Sequence, residues 1–253
     1  MTDRYKLDLF IEKIEYFSPQ EISDELYSAK NLRLSLDFGT HSSKKFQQQS
    51  IRNWISLFPM LKNIEGLLLM YPKSQAFFAA ACKMTQIKTL SLRSLKVDDL
   101  TPIQNLKALT RLYIDSCHQL KSIIPILNLK NIIYIKIENC YNIEDLASIG
   151  QMTWLKGLCL TGNITAPKNL RINSLKPYRN LKNLKHLDLT STSVIDKSYQ
   201  VLLDMPELER FDVTSNIKPS VVDDIKSKHK SLKAGFFVDW DYVNKKIFDD
   251  KHW

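Results

Sequence analysis

The sequence has no run of 18 apolar residues, so nothing in it is long enough to cross a bilayer as a helix. It also lacks a secretory pattern at its start. "MTDRYKLDLFIEKIEYF" carries acidic residues through its apolar part, whereas a signal peptide places a basic segment before an unbroken apolar one. A cytoplasmic location is the expectation, and export through a machine that reads no such signal is compatible with it. Cysteine is sparse. Cys82, Cys117, Cys140 and Cys159 match neither a zinc-ligand spacing nor a C-x-x-C redox pair, so structural thiols are expected. The motifs G-x-x-x-x-G-K-[ST], G-x-S-x-G and H-E-x-x-H are all absent, and His41, His118, His229 and His252 are scattered without ligand spacing. No cofactor, metal ligand or catalytic residue is expected. Acidic residues are in deficit, 27 against 36 Lys and Arg, and the net charge of +9 raises the question of anionic partners.

What the chain does have is a repeat. In "LKNIIYIKIENCYNIEDL" the apolar residues fall three apart at Leu129, Ile132 and Ile135, then two apart at Ile137. The same switch recurs in "LKNIEGLLL", "MTQIKTLSL", "LKALTRLYI", "MTWLKGLCL", "LKNLKHLDL" and "MPELERFDV". The first residue of each two-spaced pair is at 67, 90, 112, 135, 158, 187 and 211, in steps of 23, 22, 23, 23, 29 and 24. A fixed period in the low twenties is the signature of stacked coils.

Period two places alternate side chains on opposite faces of a strand. Ile135 and Ile137 then point into a core, while Tyr134, Lys136 and Glu138 point out of it. Period three at Leu146, Ile149 and Met152 keeps one face of a tight helical turn on that core. A single coil cannot bury its own hydrophobic edge, but stacked coils form one continuous interior.

The pattern resembles the leucine-rich repeat, L-x-x-L-x-L-x-x-N/C. Its last position is filled by Cys117, Cys140, Asn163 and Asn216, with Thr192 as a near substitute, and Leu95 and Pro72 depart from it. The resemblance implies an α/β leucine-rich-repeat solenoid, a curved horseshoe with a parallel concave sheet and short helical or 3-10 convex segments. The short irregular repeats are similar to those of bacterial members. One domain over 1–253 is expected, with an N-terminal cap at 1–31, repeats at 32–238 and a C-terminal cap at 239–253.

The irregular segments carry their own expectations. Leu7 to Phe17 is compatible with a helix, "NLRLSLDF" with a first strand, and the stretch around Ile51, Trp54, Ile55 and Phe58 with a helix. The 29-residue step is expected to add one helical turn or a projecting loop bearing Lys168, Arg171, Lys176 and Arg179. Leu232, Gly235 and Phe237 mimic a further coil, and Trp240, Tyr242, Phe248 and Trp253 read as an aromatic cap.

Outward strand residues form three columns. The first is Gly66, Thr89, Arg111, Tyr134, Gly157, His186 and Arg210; the second is Leu68, Ser91, Tyr113, Lys136, Cys159, Asp188 and Asp212. The third is Met70, Arg93, Asp115, Glu138, Thr161, Thr190 and Thr214. Tyr and Arg dominate binding energy at protein interfaces. The expected partner is therefore another protein, held by Arg93, Arg111, Tyr113, Asp115, Tyr134, Lys136, Glu138, His186, Asp188, Arg210 and Asp212 on the concave sheet. Arg111, Tyr113, Tyr134 and Lys136 are expected to form its central patch. Asp188 and Asp212 beside His186 invite an acid–base reading, but an open sheet face lacks the enclosure that shifts pKa values. A non-catalytic binder that is monomeric when free is the reading adopted. Its roles are an immunity-type inhibitor of a toxin, or an effector docking on a host protein. The basic stretch at 168–185 leaves nucleic acid as the alternative partner, although no nucleic-acid motif is present.

Overall fold

A computed structural model describes residues 15–17, 25–39, 42–72, 74–163, 168–214 and 217–237. The chain falls into two compact units, Met1–Asn131 and Ile132–Trp253.

In the first unit five parallel strands lie in sequence order: β1 (Glu15–Phe17), β2 (Asn31–Ser35), β3 (Gly66–Met70), β4 (Thr89–Arg93) and β5 (Arg111–Asp115). Register aligns Leu32 with Leu67, Leu90 and Leu112, and Leu34 with Leu69, Leu92 and Ile114. None of these eight is more than 1% exposed. The two-spaced pairs are thus the inner face of the sheet, and burying each such side chain contributes roughly 1.5–3 kcal/mol.

The chain returns between strands through helices Lys44–Leu57 and Gln75–Ala81, then through 3-10 turns at Thr101–Asn105 and Ile124–Asn128. Both helices start at a serine whose hydroxyl accepts a backbone N–H, Ser43 from Phe46 and Ser74 from Phe77, satisfying a donor that the helix itself cannot. The expected helix around Trp54 is present, with Trp54 and Phe58 in the core. The expected helix over Leu7 to Phe17 is not what its described end forms. Glu15–Phe17 is a strand paired with β2, because a free sheet edge offers backbone partners there. The rest of the proposed N-terminal cap lies largely outside the described residues.

The second unit contains parallel strands β6 (Tyr134–Glu138), β7 (Gly157–Thr161), β9 (His186–Leu189), β11 (Arg210–Val213) and β12 (Ala234–Gly235). Ile135, Leu158, Leu187 and Phe211 stand in register, each fully buried. The return segments are 3-10 turns at Leu146–Gln151, Lys176–Asn180 and Tyr199–Asp204, as period three requires, and a helix at Pro219–Lys228. The long step contains a strand that neither expectation included, and its residues 164–167 lie outside the described residues. Within it β8 (Leu170–Ile172) pairs with β10 (Thr192–Val194) in a separate two-stranded parallel sheet. Leu170 and Ile172 are buried and Arg171 is exposed, so this is a half-buried alternating strand instead of a projecting loop. The last coil exists in short form: Ala234–Gly235 pairs with β11, and Phe237 stacks on Phe211 at 5.3 Å between ring centroids. The aromatic tail from Trp240 lies outside the described residues.

A local device explains the N/C position of the repeat. Tyr71, Ser94, Ser116 and Asn139 directly follow β3, β4, β5 and β6, with φ between 53 and 59°. Such left-handed residues turn the chain out of the strand direction. The next residue then faces inward, and a small polar side chain can satisfy a carbonyl there. The Cys117 thiol donates to the Leu92 carbonyl at 3.6 Å and the Cys140 thiol to the Glu138 carbonyl at 3.1 Å. After Ser191, which is also left-handed, the Thr192 hydroxyl donates to the Leu160 carbonyl at 2.7 Å. Asn163 occupies the equivalent place before the long coil and is half-buried; Asn216 lies outside the described residues. No helix among the described residues is long and apolar enough to cross a membrane.

Candidate binding surface

The strands carry a second set of side chains on the face turned away from the core. In the first unit Gly66, Thr89 and Arg111 are in register, as are Leu68, Ser91 and Tyr113, and Met70, Arg93 and Asp115. Arg111 is exposed and Tyr113 half-buried, and their register neighbours on β4, Thr89 and Ser91, are small. Arg93 pairs with Asp115 at 3.1 Å. Leu68 and Met70, expected to project as an apolar patch, are instead buried along with the rest of β3.

The outer face of the second unit is more closed than its sequence implies. Tyr134, Gly157, His186 and Arg210 stand in register, and so do Lys136, Cys159, Asp188 and Asp212. Tyr134 is an outward residue as expected, yet it is only 8% exposed. Its ring lies in the space left by Gly157, where an added Cβ would sit 2.2 Å from a ring carbon. From there the Tyr134 hydroxyl reaches Cys159 Sγ at 2.9 Å and His186 Nδ1 at 3.2 Å. His186 Nε2 meets Asp212 Oδ2 at 3.3 Å, and Arg210 binds the same carboxylate through both Nε and a terminal nitrogen. Lys136 pairs with Glu138 at 2.7 Å.

Two expectations are corrected by this arrangement. Cys159 faces outward along the strand but is buried, because Tyr134 and His186 stand over it. Tyr134 and His186, expected to meet a partner, are internal to a hydrogen-bonded network, while Lys136, Glu138, Asp188, Arg210 and Asp212 are half-buried on the same face. A tyrosine sharing a column with a glycine was the available signal: a side chain missing on one strand leaves room for a ring from its neighbour.

The electrostatics follow from burial and pairing. Burial would raise the Asp212 carboxyl, but hydrogen bonds from His186 and Arg210 outweigh it and hold the group below its ordinary value. The Cys159 thiol is pushed up to about 12, chiefly by burial and further by Asp188. Lys136 is subject to a desolvation that favours its neutral form. The Glu138 carboxylate, with Cys159 and Asp188, more than compensates and leaves it above its ordinary value. A cavity of about 500 Å³ lined by Lys197, Tyr199, Ile217, Lys218, Pro219 and Val221 uses none of these residues.

Three of the six basic residues at 168–185 are paired with acids. Lys176 lies 3.8 Å from Asp196, Arg179 3.0 Å from Asp204 and Lys185 3.1 Å from Glu209, while Lys168 sits over the Tyr141 ring.

With parallel coils, the inner leucine ladder and the left-handed strand ends in place, similarity to solved structures settles the architecture. A leucine-rich-repeat protein of Leptospira interrogans matches with a TM-score of 0.55 and 20% identity, over 86% of this chain and 51% of that one. An internalin (inlF) of Listeria monocytogenes matches with a TM-score of 0.52 and 17% identity, over 89% of this chain and 81% of that one. The fold is that of the leucine-rich-repeat proteins. TLR13 in complex with ssRNA13 also matches, with a TM-score of 0.52 and 18% identity, over 79% of this chain and 29% of that one. No family model matches the sequence, and no curated protein does.

Proposed function

We propose that this leucine-rich-repeat chain is a non-catalytic binding module that takes another protein on the outer face of its strands. The observation that carries this reading is the pairing of Arg111 and Tyr113 on β5 with Thr89 and Ser91 on β4. A guanidinium and a phenol stand beside two small side chains; Arg111 is exposed, and Tyr113, whose hydroxyl is buried, offers ring surface to a partner. Such residues form many contacts while losing little conformational entropy. Arg93–Asp115, on the same two strands, supplies the paired polar rim that interfaces use for register.

Within that reading the chain acts as one repeat array, since the 22- to 23-residue period runs through position 131 in the sequence. Likeness to Listeria and Leptospira proteins supports a bacterial origin. The finer role is that of a cytoplasmic immunity-type inhibitor that occludes a toxin; the alternative is an effector that docks on a host protein. A toxin gene adjoining this one decides for the inhibitor. Nucleic acid has the net charge of +9 and the RNA-bound TLR13 neighbour in its favour. Against it stand the acidic partners of Lys176, Arg179 and Lys185.

The test is a pull-down from the source cell, repeated with Arg111→Ala/Tyr113→Ala and with a Lys176/Arg179 charge reversal. A protein partner lost in the first variant and kept in the second is expected, with at least about 2 kcal/mol of binding lost per true anchor. Recovery of nucleic acid, or loss only on charge reversal, overturns the reading.

A further inference from the structure

The polar network on the outer face of the second unit contains more ligand chemistry than protein binding uses. Cys159 Sγ, one ring nitrogen of His186 and a carboxylate oxygen of Asp188 all lie within 4.8 Å of one another. They come from two adjacent strands, and the backbone ladder fixes their spacing. Cys159 and Asp188 are direct register partners, and His186 stands two residues before Asp188 on the same face. From these positions we infer that Cys159, His186 and Asp188 form a binding site for a zinc-type divalent cation.

The donor set supports that class of ion. One sulfur, one imidazole nitrogen and one carboxylate oxygen suit zinc; magnesium and calcium take oxygen ligands and do not favour sulfur. Bond lengths of about 2.0–2.3 Å around a tetrahedral ion place ligand atoms roughly 3.3–3.5 Å apart. Contraction by about an ångström, within reach of small χ rotations, closes the site.

The surrounding residues match the outer shell of such a site. A ligating histidine commonly donates its second N–H to a carboxylate, which fixes its tautomer and ring orientation. His186 Nε2 already meets Asp212, which Arg210 clamps in place. Nδ1 is then the ligating atom, on the side where Tyr134 and Cys159 stand. The Tyr134 hydroxyl, in contact with both Sγ and Nδ1, occupies the place of a fourth ligand or of a water in that position. Coordination deprotonates a thiol outright, so a thiol that burial keeps protonated in the apo protein becomes a thiolate on loading. Lys136 bears a positive charge beside Cys159 and Asp188 and competes with the ion.

The test uses tag-free full-length protein with Co(II) as a spectroscopic probe and Zn(II) as competitor. One equivalent of Co(II) is expected to give a thiolate-to-metal charge-transfer band and the ligand-field bands of a tetrahedral ion, both abolished by stoichiometric Zn(II). Cys159→Ser is expected to remove the charge-transfer band, and Asp188→Asn to weaken binding at least tenfold. Lys136→Met, which removes the competing cation, is expected to tighten it. Asp188 is half-buried, so its variant carries the test if Cys159→Ser does not fold. Absence of the band in the wild-type protein, or a band unchanged in Cys159→Ser and Asp188→Asn, overturns the site.

Discussion

Gly157 leaves the space in which the Tyr134 ring covers the Cys159 thiol. An alanine there places a methyl 2.2 Å from the Tyr134 ring, which must swing off the sheet. Overpacking of this kind costs about 1–3 kcal/mol. All four cysteines are buried, so a thiol reagent is expected to label none of them rapidly in the native wild-type protein. Gly157→Ala is expected to open Cys159 selectively, and mass spectrometry of the labelled residue checks it. Rapid labelling of Cys159 in the wild type would contradict the ring placement. Asp212 carries a pH dependence. Its folded-state pKa is depressed below the ordinary 3.8, so its contribution is complete above that value and is lost as pH falls through the depressed one. Asp212→Asn removes charge-assisted hydrogen bonds worth about 1.5–3 kcal/mol. The gap in urea midpoint between this variant and wild type is expected to be largest near neutrality and to shrink below pH 3.8. A gap that grows on acidification refutes the assignment.

Each coil is held by its inner ladder and by bonds made at its turns. Ile135 is fully buried between the backbone and the core of the second unit, and Ile135→Ala is expected to cost roughly 2–5 kcal/mol. An unchanged urea midpoint would remove it from the ladder. The asparagine of the recurring "LKN" contributes differently. Asn63 donates to the Tyr27 carbonyl at 2.7 Å, Asn131 to Lys107 at 2.7 Å and Asn183 to Thr153 at 2.9 Å, each reaching back to the preceding coil. Asn131→Ala is expected to cost about 0.5–1.5 kcal/mol, the net value of one such bond, with no change in binding. Lysines near these turns pair with an acid of a neighbouring coil: Lys88 with Glu65 at 2.9 Å and Lys185 with Glu209 at 3.1 Å. The period was legible in the sequence because it depends on residues a few positions apart; the partners of these turn residues were not, because they lie 23 to 36 residues away. The strand at Leu170–Ile172 was not legible, because its partner β10 lies a full coil away.

The molecule as a whole has a surplus of nine positive charges, and where they stand determines what they can do. Lys176 and Arg179 are well exposed, but each faces an acid of the next coil. Exposed pairs contribute about 0–1 kcal/mol, so reversing both charges is expected to change thermal stability little. The same pairing reduces the charge available to phosphates. The full chain is therefore expected to bind single-stranded RNA no more tightly than the non-specific range, about 10⁻⁴–10⁻⁶ M at physiological salt, with a steep loss as salt rises. Fluorescence anisotropy across a salt series checks this. Tighter binding that survives salt would point to a built nucleic-acid site.

The sequence by itself determined the coil length, the inner pairs from Leu67 to Phe211, the tight turns at period three and the columns of outward residues. These follow from side-chain alternation and helical pitch, which act over neighbouring residues and repeat with the chain. Tertiary structure alone decided which outward residues reach solvent. Leu68 and Cys159 have the same strand geometry as the exposed Arg111, yet both are buried. Burial on a sheet face depends on the size of cross-strand neighbours. A glycine at 157 lets the Tyr134 ring lie flat and join Cys159, His186 and Asp212 into one network, through contacts that span 25 to 52 residues of sequence.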